Sequence, residues 1–218
     1  MRRWLQAGRA LGLAEGRWCL GAGAVRALVW DAWHGHAHPA PLADLDLAWF
    51  GDPSPSGERD QALVARLQAT CPEVRWDVQD QAAVHHWATG LDGLPPAPLS
   101  RLEQALATWP ETATAVGLAL DPDDQVRVFA PSGLADLFTG RLRHNPAQAS
   151  TAVFLARVKR WPLAQRWPRV QILLPAAPGA PAEYRPARGP GIEPARPRWI
   201  EAASAHPPFP TDAPPGAD

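Results

Sequence analysis

Cysteine is scarce: Cys19 and Cys71 are the only two, and they lie far apart. That excludes a disulfide framework, and the spacing fits neither a metal-binding nor a redox pair, so both read as reduced core residues. No long apolar run occurs, which excludes an ordinary membrane-spanning helix, and the start MRRWLQAGRALGLAEG is too broken for a secretory signal. Neither charge is in excess, with 21 Lys and Arg against 22 Asp and Glu and a formal net charge of -1. General attraction to nucleic-acid phosphates or to an anionic membrane is therefore not expected. Internal repeats are missing as well. Together these absences point to a soluble, cytoplasmic protein.

What is present is enough apolar material for a real core, 46% of 218 residues. Proline divides the chain, because 12 of the 26 prolines fall in residues 175–218. Such a segment sustains neither helix nor ladder hydrogen bonds and has few large apolar groups to offset its ordering entropy. We expect a folded domain over 1–174 and a disordered Pro-rich tail over 175–218. Within the domain, apolar periodicity predicts helices at 2–14, 24–35, 57–71, 99–108 and 150–166. It predicts strands at 17–23, 44–50 and 73–79, and two more at 112–120 and 125–131 around a DPDD hairpin loop. Strands alternate with helices first and a hairpin arrives late, so the expected class is α+β, a mixed sheet flanked by helices.

The strand DLDLAWF carries an anomaly. Leu45, Leu47 and Trp49 share one face, while Asp44 and Asp46 stand side by side on the other. Two carboxylates desolvated together repel, so a cation is expected between them. Upstream, GAGAVR turns a strand into a helix. The small residues Gly21, Ala22 and Gly23 let backbone N–H groups approach an anion, and the helix directs its positive end at the same place. Arg26, on the first turn, suits a phosphate or Asp44, although a plain helix-surface position fits equally. In EVRWDVQ, Asp77 alternates onto the face opposite Val74, Trp76 and Val78; it is either a third acid beside Asp44 and Asp46 or an ordinary solvated strand residue. Three hard oxygen donors suit Mg2+ or Mn2+.

These residues carry a resemblance. GAGAVR followed by DLDL resembles the nucleotidyltransferase-fold superfamily, and the run from Gly23 to Arg26 is similar to the head domain of tRNA nucleotidyltransferases and bacterial poly(A) polymerases. Six ordered blocks between residues 5 and 168, among them WDVQDQAAVH, VFAPSGLADLF and RHNP, resemble one branch of small bacterial nucleotidyltransferase-like proteins. The resemblance implies a nucleotidyltransferase-like α+β fold with Asp44, Asp46 and Asp77 as catalytic metal ligands and the Gly21–Gly23 turn at the phosphates. The implied reaction moves a nucleoside monophosphate from an NTP to an acceptor hydroxyl with release of pyrophosphate. It names no acceptor. Ala22 and Ala83 depart from the family pattern and keep open an alternative, a non-catalytic nucleotide-binding module of the same fold.

Other polar residues read as structural. His34, His36 and His38 alternate in a way that could present imidazoles to Zn2+, but a Pro-flanked loop short of a full ligand set reads as solvated. His85, His86 and Glu111 are expected in structural roles, and most of the 11 tryptophans, Trp30, Trp33 and Trp49 included, as core. The basic stretch from Lys159 to Trp167 reads as a solvated helix end.

Overall fold

The computed structural model describes residues 1–53, 57–146, 150–160 and 163–173, all inside a compact unit that spans Met1–Ala180. The expected tail, 175–218, lies outside the described residues. Helix α1 (Arg2–Arg9) precedes strand β1 (Trp18–Gly21), which runs straight into α2 (Ala22–His34). Strand β2 (Leu45–Trp49), helix α3 (Glu58–Thr70) and strand β3 (Trp76–Asp80) follow, then a short 3-10 helix over Gln81–His86 and α4 (Leu102–Ala107). The hairpin is β4 (Gly117–Leu120) and β5 (Val126–Phe129). Its turn is an Asx turn: Asp121 Oδ1 accepts from the Asp123 and Gln125 N–H groups at 3.0 and 2.8 Å. Helix α5 (Ala135–Phe138), strand β6 (Arg141–Arg143), helices α6 (Thr151–Arg160) and α7 (Leu163–Arg166) and strand β7 (Gln171–Leu173) complete the described chain.

The five-stranded sheet has the order β3-β2-β1-β4-β5, antiparallel except for the parallel pair β2 and β3. The expected mixed α+β architecture is what the chain adopts. Strand alternation sorts the faces. Trp18, Leu20, Leu45, Leu47, Trp49, Trp76 and Val78 are buried on one side, with Leu5 of α1 and Leu63 and Leu67 of α3 in the same core cluster. Burying this many large side chains, at about 1.5 to 3 kcal/mol each, is what fixes strand register here. Cys19 and Gly117 share the opposite face, where a Cβ on Gly117 would collide with the Cys19 sulfur. Both cysteines are free and fully buried, as expected. A second cluster gathers Val25 and Trp30 of α2 with Leu137, Leu142, Phe154, Leu163 and Trp167.

Three expectations need correction. Helix α1 stops at Arg9, and β4 begins at Gly117 instead of 112. The segment before β4 turns inward, because the Glu111 backbone bridges to His144 and Thr114 and Ala115 donate back to the Glu111 carbonyl. The helix expected over 150–166 is recorded as two helices, α6 and α7. The small parallel pair of β6 and β7 was not expected at all.

Candidate functional site

The parallel register pairs Asp46 with Asp77, so both carboxylates rise from neighbouring strands on the face away from the main core. One step beyond the Leu20–Leu47 pair, Gly21 comes level with Asp46. The sheet thus orders three features in a row: the turn, then Asp46, then Asp77 on the edge strand. Asp44 stands just ahead of β2 and is half-buried, as is Asp46, whereas Asp77 is exposed. Ala22, Asp46 and Asp77 line one cavity of about 640 Å3. Gly21, Gly23, Arg26 and Asp44 are not on its wall.

The carboxylates are electrostatically frustrated. Burial, together with the negative charges of Asp44 and Asp77, pushes the Asp46 carboxyl from 3.8 up to about 7, against the opposing pull of Arg157. Among the described residues no cationic side chain forms an ion pair with any of the three. A divalent cation fits that donor set: hard carboxylate oxygens with uncompensated negative charge. It would have to draw the side chains together, because among the described residues no three His, Cys, Asp or Glu stand close enough to hold one ion.

The turn opens a helix through a left-handed residue. Ala22 has φ 53°, in the left-handed region, and Gly23 begins the helical turn after it. A left-handed residue followed by a right-handed one aims successive N–H groups to the same side, at the start of a 13-residue helix. Gly21 is required by close approach, since a Cβ there would lie 2.8 Å from the Trp109 ring. Alanine in the left-handed region carries a cost of about 1 kcal/mol that glycine avoids. Ala22→Gly is expected to raise stability by up to that amount, read by thermal unfolding, and a destabilised variant would show that the Ala22 methyl packs usefully.

Arg26 is neither a surface residue nor a cavity residue. It is buried behind the turn, its guanidinium over the faces of Trp30 and Trp167 at 5.4 and 5.6 Å, and its Nη2 lies 3.7 Å from where a Gly23 Cβ would be. Burial lowers its pKa to about 10, with Glu111 pulling the other way. Glu111 is completely buried: its Oε1 accepts from Arg157 Nε at 2.7 Å and its Oε2 from the Thr114 hydroxyl at 3.1 Å. Arg157 in turn lines the cavity. Sequence reasoning missed Arg157, although its place one turn after Phe154 puts a cation on the buried stripe of α6. It missed Trp87 as well, which is 62% exposed at the cavity and not core. His85 lines the same wall.

His34 Nδ1 and His36 Nε2 reach the Trp30 and Arg166 carbonyls at 2.7 and 2.8 Å, and among the described residues no three His, Cys, Asp or Glu stand close enough to hold one ion.

Residues 7–172 match the sequence profile of a nucleotidyltransferase family. The chain belongs to that family. The mixed sheet is a nucleotidyltransferase-like fold, and it has a solved counterpart. A structure described as a CCA-adding enzyme head domain superposes with a TM-score of 0.64 at 24% identity, over 79% of this chain and 88% of that one. A tRNA-processing enzyme in its apo form and a CCA-adding enzyme with CTP each align at TM-score 0.46, with 18% and 15% identity over 79% of this chain. The nucleotidyltransferase chain spans about two fifths of those two, 42% and 39%. No curated protein matches it. Among the described residues no helix is long and apolar enough to cross a membrane.

Proposed function

We propose that the protein transfers a nucleoside monophosphate from an NTP to an acceptor hydroxyl and releases pyrophosphate, using Mg2+ or Mn2+ held by Asp44, Asp46 and Asp77. The observation that carries this reading is the frustrated carboxylate pair Asp46 and Asp77, which faces the same cavity as the left-handed turn at Ala22. A bound cation supplies charge neutralisation at the α-phosphate and lowers the pKa of the attacking hydroxyl.

The chain's own groups do the rest. N–H groups of the Gly21–Gly23 turn bind the triphosphate, with Arg26 adding positive potential from behind. Arg157, oriented by Glu111, offsets the charge that builds on the departing pyrophosphate. The acceptor oxygen bonds to the α-phosphorus while the bond to the α,β-bridging oxygen breaks. That oxygen leaves with pyrophosphate, and the hydroxyl proton passes to a carboxylate oxygen of Asp77. The transferring unit is 1–174, and the tail at 175–218 takes no part in this chemistry. A cytoplasmic location agrees with two buried free thiols and with NTP as the donor.

The alternative is a non-catalytic nucleotide-binding module. It draws on Ala22 in a glycine conformation and on the lack, among the described residues, of a preformed three-ligand cluster. Incubation with each α-labelled NTP, Mg2+ or Mn2+ and a total cell extract separates the two. A labelled product that disappears in Asp46→Asn supports transfer, whereas metal-dependent NTP binding with no labelled product supports the module. Absence of NTP binding sinks both.

A further inference from the structure

The cavity continues past Asp77, and its far wall differs in chemistry from the turn side. Gln79 of β3, Gln81 and His85 of the 3-10 helix that follows and Trp87 just after it line this part, with apolar residues such as Ala97 and Leu99 beside them. No Lys or Arg lines this wall; the cavity's one cation among the described residues is Arg157. We propose that this wall is the acceptor subsite and that the acceptor is a small neutral molecule carrying its hydroxyl on a planar or apolar body. The assignment rests on the reading that Asp77 receives the acceptor's proton, since the hydroxyl must then lie at the β3 end of the row.

Four observations select that chemistry. Trp87 lines the cavity and is 62% exposed, and a large aromatic face in that position gains by covering a planar ring. His85 lines the same wall, an imidazole that can donate to or accept from a ligand hydroxyl or carbonyl. No Lys or Arg on this wall is available to pair with a phosphate, so a phosphorylated sugar or a nucleic-acid strand finds no side-chain charge recognition here. A cationic acceptor would compete for carboxylates already committed to the metal. The cavity volume, about 640 Å3, is that of a small-molecule site.

The test uses ligand-observed saturation-transfer NMR on the full chain with Mg2+ and a non-transferable α,β-methylene NTP analogue. The probes are phenyl β-glucoside as a neutral hydroxylated ring, phenyl phosphate as its anionic counterpart, and a short oligoribonucleotide. Phenyl β-glucoside is expected to bind, and Trp87→Ala, an exposed position that leaves the fold intact, to weaken it about tenfold. Affinity for the NTP analogue should change less than about twofold in the same variant. Tighter binding of phenyl phosphate or the oligoribonucleotide at Trp87 overturns the proposal. So does a Trp87→Ala variant that loses the NTP analogue instead, which would give the ring to the nucleobase. If the NTP analogue binds and no probe does, the acceptor assignment fails alone; if the analogue itself does not bind, the nucleotide reading fails with it.

Discussion

Asp46→Asn is expected to reduce metal-dependent NTP binding and label transfer by a factor on the order of 100 or more, while raising the stability of the metal-free protein. The first effect follows from replacing a carboxylate by an amide, a much poorer ligand for a hard cation. The second follows from linkage. The Asp46 carboxyl is held at about 7 in the folded protein and returns to 3.8 on unfolding. Between those values the folded state keeps a proton that the unfolded state has released, so this group's contribution to stability falls as pH rises from about 4 to 7. Above pH 7 the folded protein carries the whole penalty of a repelled, half-buried charge. Taken at face value such a shift corresponds to about 4 kcal/mol; partial exposure and the coupling to Asp44 and Asp77 bring the expectation to about 1 to 2 kcal/mol. Thermal unfolding with chelator at pH 5 and pH 8 measures it. Asp46→Asn should gain at pH 8 and lose most of the pH dependence between the two. Stability lower than wild type at pH 8, or undiminished NTP binding, would refute the assignment.

Glu111→Gln is expected to destabilise the protein by about 3 kcal/mol, a fall of roughly 6–12 °C in Tm for a domain of this size. The amide keeps the shape of the side chain and can still accept from the Thr114 hydroxyl. What it removes is the fully buried negative charge that accepts from Arg157 at 2.7 Å and holds up the pKa of the buried Arg26. The guanidinium groups of Arg26 and Arg157 repel each other, and removing the anionic partner of a buried pair is strongly destabilising. The effect sits at the low end of the usual range because 38% of the Arg157 side chain reaches solvent. The Km for NTP should rise as well, since Arg157 loses the group that orients it. Denaturant unfolding checks the first expectation; a loss below about 1 kcal/mol would show that the Glu111 charge contributes little to stability.

Much of the frame was legible from short-range periodicity. A period of two along DLDLAWF and EVRWDVQ separated Leu45, Leu47, Trp76 and Val78 from Asp46 and Asp77, and the structure buries the first set and leaves the second facing the cavity. The GAGAVR turn was legible only in company, because small residues at a strand-to-helix junction are common for purely geometric reasons and it was the DLDL strand after them that singled the turn out. By itself the sequence determined the alternation of elements, the α+β class, the face on which the acids stand and the reduced state of both cysteines. All of these depend on neighbours within a few residues, where backbone geometry dictates who shares a face. Only the tertiary structure decided that Glu111 and Arg157, 46 residues apart, form one buried pair. It also decided that Arg26 lies behind the turn against Trp167, and that Trp87 opens onto the cavity while Trp30 is buried. The reason is physical: a charge on a helix stripe looks the same in sequence whether it meets solvent or a buried carboxylate, and what it meets is set by chain closure over long separations, which leaves no local period to read.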